Sequence, residues 1–308
     1  MTQSELAPPA RIGVIGLGAL GLPMAINLRK AGYRMQVHTR SRRAEADPSL
    51  QGARRCDSPA STAIDVETLL ICVSDCAAVE DVIFGAKGAA RSLGSGATVI
   101  DFSTIAPATS KTMAERLAHQ GVTYLDAPVT GGTEGARAGT LTVLVGGNAQ
   151  VLAKVQPLLK VIGETIHHFG PVGRGQQVKA LNQVLVAGSY AALAEAIALG
   201  QQLGLPMQTV ITALQHGAAG SWALKHRSTA MLEDNYLLGF KLALHHKDLG
   251  IALDTAERAG LQLPITSKVK SMEANLIEQG HSEEDISVLR RWFDYQQAES
   301  QQLCSSLK

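Results

Sequence analysis

An apolar run, RIGVIGLG, ends in the turn Gly16-Leu17-Gly18-Ala19-Leu20-Gly21, and ALGLPMAINLRKAG follows with apolar residues at helical spacing and Gly32 as its stop. No other stretch constrains the fold as tightly. In G-x-G-x-x-G between a strand and a helix, the first glycine permits the tight turn. The second lets backbone approach a pyrophosphate, and the third lets helix and strand pack closely. The pyrophosphate would rest on the amides and positive dipole end of the helix. Alone the motif is weak, because any tight turn selects glycine. Here it opens a βαβ unit, and that context makes dinucleotide binding the expected use.

The rest of the first half keeps the same alternation. YRMQVHTR reads as a second strand, and ETLLICVS, GATVIDFS and GVTYLDAPV as further short β runs, with helices over 77–91 and 107–120 between them. TLTVLVGG and TIHHFGP supply two more strands around an amphipathic helix over 149–160. Alternation at this spacing belongs to parallel strands joined by crossover helices, the doubly wound α/β pattern. From about residue 174 the pattern becomes helix upon helix, over 174–203, 207–216, 221–232, 239–260, 264–279 and 282–298. The Gly-rich FGPVGRG marks the change. The expected architecture is a Rossmann-like domain over residues 1–172 followed by an all-helical domain over 173–308.

Composition narrows the partners. A formal net charge of +1 gives no electrostatic case for nucleic acid or an anionic membrane, and aromatics at 4% argue against base-stacking platforms. Cys56, Cys72, Cys76 and Cys304 show no disulfide or zinc spacing and read as thiols of a reducing compartment. The leader MTQSELAPPAR lacks a basic region followed by an apolar one, so no secretory signal is expected. The longest apolar run, Val184 to Gly200, reads as too short, too rich in Ala and Gly, and broken by Glu195, to span a bilayer. A cytoplasmic protein with no membrane partner is expected. His167-His168 and His245-His246 are adjacent pairs that cannot both face one ion from a strand or helix, so no metal site is expected.

Cofactor preference turns on the end of the second strand. An NAD enzyme usually places an acid there for the ribose 2′-hydroxyl. This chain instead reads His38-Thr39-Arg40-Ser41-Arg42-Arg43, with no acid until Glu45. Arginine there can pair with a 2′-phosphate through charge-assisted bonds; a solvated turn is the alternative. NADPH is therefore expected, with NAD at lower efficiency, and Thr39, Arg40 and Ser41 join the cofactor set.

Taken together, GLGALGLPMAINL, DFSTIAP, DAPVTGGTEGARAGTLTVLVGG, GRGQQVKALNQ and HHKDLGIALD resemble, in order and over nearly the whole chain, the β-hydroxyacid dehydrogenase family. That group includes 3-hydroxyisobutyrate dehydrogenases and tartronate semialdehyde reductases. The resemblance implies the same two-domain fold, a site between the domains, and a homodimer or homotetramer assembled through the helical domain. It also implies that Thr104 lies near the nicotinamide ribose and that Val73 and Ser74 line the cofactor cleft. Thr130, Gly131 and Gly132 would cradle a substrate carboxylate, and Lys179 would be catalytic. Lys247 would close over the cofactor, with Phe240 and Asp248 nearby.

Elementary chemistry runs parallel to this. A Gly-rich stretch with a hydroxyl suits an anionic carboxylate, although a ligand-free flexible loop is also open. Carbonyl reduction needs a hydride and a proton, and an ammonium can supply the proton. Lysine normally titrates near ~10.4, and burial lowers it toward the ~7–8 that suits acid–base work. Taken alone, Lys179 reads first as a solvated first-turn lysine. Its i, i+3, i+4 spacing with Asn182 and Gln183 puts three polar groups on one helix face, which favours the catalytic reading.

Relatives often carry Ser where this chain has Thr130, and K-x-x-N-N where it has Lys179-Ala180-Leu181-Asn182-Gln183. The K-x-x-N-Q form is similar to tartronate semialdehyde reductases and points to small hydroxylated semialdehydes. Glyoxylate or succinic semialdehyde also fit, as does oxidative work on 3-hydroxyisobutyrate or another 3-hydroxyacid. Trp222, with Ser221 and Lys225, reads either as pocket wall or, for the indole, as core. Imine reductases lack the lysine, 6-phosphogluconate dehydrogenases have a longer helical domain, and a non-catalytic dinucleotide sensor would not need Lys179.

Overall fold

The computed structural model describes residues 6–296, so Cys304 and the last two residues of the helix expected over 282–298 lie outside the described residues. The chain divides into two compact units, Met1–Lys179 and Ala180–Lys308.

In the first unit, six parallel strands form one sheet: β1 (Arg11–Ile15), β2 (Arg34–His38), β3 (Arg54–Arg55), β4 (Thr68–Ile71), β5 (Thr98–Asp101) and β6 (Thr123–Asp126). Their order is β3-β2-β1-β4-β5-β6, so the chain starts at the centre and winds outward both ways. The reversal between β1 and β4 is the switch point at which such sheets take ligands, beyond the carboxyl ends of the strands. β4 and β5 are buried along their whole length, as central strands covered on both faces must be. Alternation along the strands sends Ile12, Val14 and Leu70 to one core and Ile15, Leu69 and Ile71 to the other. Helices α1 (Gly21–Lys30), α2 (Pro59–Thr62), α3 (Cys76–Phe84) and α4 (Pro107–Ala118) make the connections.

Three expectations for this unit are corrected. GVTYLDAPV is not one strand: β6 stops at Asp126, Pro128 offers no N–H to continue a ladder, and Val129–Thr130 becomes β7 of a second sheet. There β7 runs antiparallel to β8 (Leu141–Val145), which runs parallel to β9 (Gly163–His168) through the crossover helix α6 (Ala149–Ile162). The Gly-rich stretch after β7 is not all loop, because it folds into α5 (Gly132–Ala138). The helix expected over 77–91 ends at Phe84; Gly85 and Gly88 turn the chain into a single 3-10 turn, Ala89–Arg91.

α7 (Arg174–Gln202) contains the division between the units, which falls after Lys179. In the second unit it is followed by α8 (Met207–Leu214), α9 (Trp222–Leu232), α10 (Leu242–Arg258) and α11 (Pro264–Glu278). Ala187, Tyr190, Leu193, Ala194 and Ile197 of α7 pack with Leu242 and Leu249 of α10 and with Val269, Met272 and Leu276 of α11. α7 as a whole, 29 residues long, is by length and composition alone long and apolar enough to cross a bilayer, although its uncharged apolar run is shorter. Its most apolar window has a mean hydropathy of 1.4 and is 44% buried, and the small residues within it serve the core just described. α10 starts at Leu242 rather than 239, because the amides of Gly239 and Phe240 donate to Asp285 Oδ2 at 2.9 and 2.8 Å. The helix expected from 282 starts only at 289, after a 3-10 turn over Ile286–Val288 that Asp285 caps.

Candidate active site

At the first turn, the three glycines differ in what surrounds them. Gly16 has φ +93°, and a Cβ there would lie 2.1 Å from the Cys72 carbonyl oxygen; one on Gly21 would lie 1.9 Å from the Gly16 oxygen. A Cβ on Gly18 would meet nothing within 4 Å. Two glycines therefore close the turn, and the middle one faces open space. Leu20 at the N-cap of α1 gives no side-chain cap, and the first turn carries no acid, so no side chain of that turn competes for its amides. This turn fits a pyrophosphate. Leu17 is buried in the core and offers only backbone, Ala19 is exposed, and Leu20 is half-buried.

At the end of β2, Glu45 folds back under the arginine-rich loop. One carboxylate oxygen accepts the Thr39 N–H at 2.8 Å, and the other lies 2.9 Å from Arg42 Nε. Arg42 in turn donates to Asp57 at 2.9 Å. Glu45 is buried, whereas Arg40, Ser41 and Arg43 are exposed. Ser41 and Arg43 line an open hollow of about 420 Å³ with Leu22, Ala44, Ala46 and Asp47.

The ends of β4 and β5 are tied side by side. Val73 N–H donates to Ser103 Oγ at 2.9 Å, Ser103 N–H donates to Asp101 Oδ1 at 2.9 Å, and Tyr124 donates to Asp101 Oδ2 at 2.7 Å. Burial pushes the Asp101 carboxyl up to about 6; the bonds from Ser103 and Tyr124 oppose that, and neighbouring Asp126 adds to it. Burial, with Asp101 nearby, also pushes the Cys72 thiol up to about 12, which makes it a poor nucleophile. Ser74 is exposed and donates to Asp75, the cap of α3. Thr104 is half-buried in the turn that follows β5.

The start of α7 is anchored to this region. Asp126 accepts the N–H of Gly173 at 2.7 Å and of Gln176 at 2.9 Å, taking two amides that the first turn of a helix leaves unpaired. The Gln176 side chain donates to Ser103 O at 2.8 Å and accepts the Ile105 N–H at 3.2 Å. Lys179 is buried and donates from Nζ to Val129 O at 2.9 Å. Val129 directly precedes Thr130, Gly131 and Gly132, and the two glycines have φ +128° and +65°. Thus one unit brings together Lys179, the Thr-Gly-Gly segment and the Thr104 turn.

A second cluster lies in the helical unit. Asn182 donates to Gln183 Oε1 at 2.8 Å, and Gln183 donates to Asp248 Oδ2 at 2.6 Å. Lys247 Nζ lies 2.8 Å from Asp248 Oδ1. The predicted residues Asn182, Gln183, Lys247 and Asp248 are therefore adjacent here. Phe240 meets the ring of His245 edge-on, and His245 Nδ1 sits 2.5 Å from Glu273 Oε1, both side chains being wholly buried. Among the described residues, no group of three or more His, Cys, Asp or Glu could hold a metal. Trp222 is not core: it is 46% exposed, stacks on His226 and carries the Arg227 guanidinium over its ring. Ser221 caps α9 through the Leu224 N–H.

Sequence reasoning missed Glu45, Asp126 and Gln176. Gln176 lies three residues before Lys179, but nothing in its type or spacing marks its contacts with residues 103 and 105.

Both units find matches among known proteins. Residues 11–170 match the model described as the NAD binding domain of 6-phosphogluconate dehydrogenase, and residues 173–293 match that of NADP-dependent 3-hydroxyisobutyrate dehydrogenase. The chain is 37% identical over 279 residues to 2-hydroxy-3-oxopropionate reductase of Escherichia coli (strain K12), covering 91% of this chain and 95% of that one. It is 35% identical over 284 residues to 2-(hydroxymethyl)glutarate dehydrogenase of Eubacterium barkeri, covering 92% and 94%. Among solved structures it is similar to 3-hydroxyisobutyrate dehydrogenase from Salmonella typhimurium, with a TM-score of 0.84 and 29% identity, over 92% of this chain and 99% of that one.

Proposed function

The chain belongs to the β-hydroxyacid dehydrogenase family and is an NAD(P)-dependent oxidoreductase acting on CH–OH groups; we propose that it is an NADPH-preferring reductase of a small semialdehyde or 2-oxo acid, of the tartronate semialdehyde type, with Lys179 as the acid–base group. The observation that carries this reading is the buried Lys179 ammonium, held 2.9 Å from Val129 O beside Thr130, Gly131 and Gly132.

When bound, the nicotinamide cofactor supplies the hydride. The chain's own task is to hold the substrate and to move the proton. Successive glycines at positive φ, with the Thr130 hydroxyl beside them, suit a carboxylate held by backbone amides. Lys179 then donates a proton to the carbonyl oxygen in reduction and removes one from the hydroxyl in oxidation, with Val129 O fixing the direction of Nζ. Both ends of the Gln183 amide are engaged, one by Asp248 and one by Asn182, so Gln183 acts by orienting Asn182, whose own oxygen takes the substrate hydroxyl. Val73, Ser74, Thr104 and Lys247 serve the nicotinamide end of the cofactor. Phe240 and the exposed Trp222 shape the substrate side.

Preference for NADPH is supported by the engagement of Glu45. Its carboxylate is held by Thr39 and Arg42 and is not offered to a ribose hydroxyl, while Arg40 and Ser41 remain for a 2′-phosphate. A small hydroxylated substrate is supported by the K-x-x-N-Q run and by the similarity to a 2-hydroxy-3-oxopropionate reductase. Leu181, Leu185 and Leu199 of α7 and Leu203 just beyond it are exposed, which supports a homodimer or homotetramer built through the helical unit.

The test is a paired NADPH/NADH screen over tartronate semialdehyde, glyoxylate, succinic semialdehyde and methylmalonate semialdehyde, with the matching hydroxyacids in the other direction. NADPH should give the higher kcat/KM, and Lys179→Ala should lower kcat by about 10²–10⁴-fold. NADH outperforming NADPH refutes the cofactor reading, and near wild-type turnover in Lys179→Ala refutes the lysine.

A further inference from the structure

We infer that Gln176 is a positioning residue that grips both peptide groups flanking Thr104 and so fixes that turn against the helix carrying Lys179. The inference rests on the roles proposed above for Thr104 and Lys179. Its own basis is local to the first unit. One side-chain amide uses both ends at once: Nε2 donates to Ser103 O at 2.8 Å, and Oε1 accepts the Ile105 N–H at 3.2 Å. The side chain is 1% exposed, so both bonds are shielded from bulk solvent.

The two bodies joined by this clamp are themselves held. On the turn side, Ser103 N–H is bound by Asp101 and Ser103 Oγ receives the Val73 N–H, which ties the turn to the end of β4. On the helix side, Asp126 receives the N–H of Gly173 and of Gln176 itself. Lys179 lies three residues beyond Gln176, one helical turn further along, and its ammonium is held by Val129 O. The Gln176 side chain thus links the turn that carries Thr104 to the helix that carries Lys179. A loss of this kind acts on rate, since a displacement of about 1 Å at the reacting groups costs about 10²-fold.

The clamp demands one donor and one acceptor, which sets glutamine apart from its near isosteres. Ionised glutamate can accept from Ile105 but cannot donate to Ser103 O, and it adds a charge beside Asp101 and Asp126. Protonated glutamate restores one donor and one acceptor in the same places. Leucine fills similar space and makes neither bond.

The test uses the full chain with Gln176→Glu, Gln176→Leu and Lys179→Ala, each measured in four ways. In apo protein, amide exchange of the peptide over 102–107 should be at least about tenfold faster in both Gln176 variants at pH 8. The Kd for NADPH, read by fluorescence, should stay within about threefold, while kcat falls about 10²-fold and the isotope effect with deuterated NADPH rises. The ratio of Gln176→Glu to wild-type kcat should climb as pH falls from 8 to 5.5, whereas the ratio of Gln176→Leu to wild-type kcat, which carries the titration of Asp101, Asp126 and Tyr124 facing the same turn without a new carboxyl, should not. The inference is overturned if kcat stays within about threefold of wild type, if kcat falls with exchange over 102–107 unchanged, or if the Gln176→Glu ratio is flat with pH. Should Gln176→Leu fail to fold, the glutamate variant carries the test by itself. Lys179→Ala separates the two failures: its activity refutes the lysine reading, whereas an inactive Lys179→Ala beside a fully active Gln176→Glu refutes the clamp alone.

Discussion

Asp101→Asn should stabilise the first unit at neutral pH and do nothing at acid pH. Asp101 is fully buried, and burial moves its carboxyl from 3.8 in the unfolded chain to about 6. Between those values the native state holds a proton that the unfolded state has released, so stability falls as pH rises from about 4 to about 6 and changes no further above that. Two tenfold steps correspond to about 3 kcal/mol, with no discount for solvent because the group is fully enclosed. Asparagine keeps the shape. Its oxygen accepts the Ser103 N–H, its amide donates to Tyr124, and the Tyr124 hydroxyl can turn to the neighbouring Ser110 hydroxyl. The probe must report on the right unit. Both tryptophans, Trp222 and Trp292, lie beyond residue 179, so tryptophan fluorescence would follow the other one. Amide exchange of the β5 peptide over 98–103 in apo protein follows the correct one. At pH 7.5 the variant should exchange about a hundredfold more slowly than wild type, and at pH 4 about equally. A ratio that is the same at both pH values, or a variant that exchanges faster at pH 7.5, refutes the reasoning.

Two further substitutions separate folding from binding. Gly16→Ala sets a Cβ 2.1 Å from a backbone oxygen at φ +93° and should cost at least about 2 kcal/mol, whereas Gly18→Ala should leave thermal stability unchanged and weaken NADPH binding about tenfold or more; equal stability losses in urea melts would contradict this. Gln183→Leu leaves Asp248 Oδ2 buried without its donor and should cost about 1–3 kcal/mol in the helical unit, a loss that tryptophan fluorescence can follow. A cost below about 0.5 kcal/mol would mean that Asp248 finds another partner.

The doubly wound sheet was legible because its signals are local. A strand such as β4 is a short apolar run bounded by polar residues, and α1 has its pattern and its Gly32 stop within one stretch. What was misread depended on partners far along the chain. Val129 and Thr130 look like the tail of β6, and only their pairing with β8 reveals a second sheet. The start of α10 was placed three residues early because the amides of 239 and 240 are taken by Asp285, some 45 residues on. Glu45 is the same kind of error in the candidate site. Counted along the chain it stands seven residues past His38, yet folded it touches the Thr39 amide.

The motifs nominate candidate ligand-facing residues but not what holds those residues in place, and the difference is physical. A glycine-rich turn or a lysine beside two amides must present a particular chemistry, so residue type and spacing are constrained together. A supporting residue is constrained only by the shape of its partners. Asp126 could have been any group able to accept two helix amides, and Gln176 any group able to bond two peptides of opposite polarity; neither demand leaves a local pattern. Such groups become visible only once the backbone has placed residues 103 and 176 together. Because each is buried with every bond made, each is also costly to replace by a group of different hydrogen-bonding character. Rate in this enzyme is therefore expected to be as sensitive at Gln176 as at the residues of the Thr-Gly-Gly segment proposed to hold the substrate.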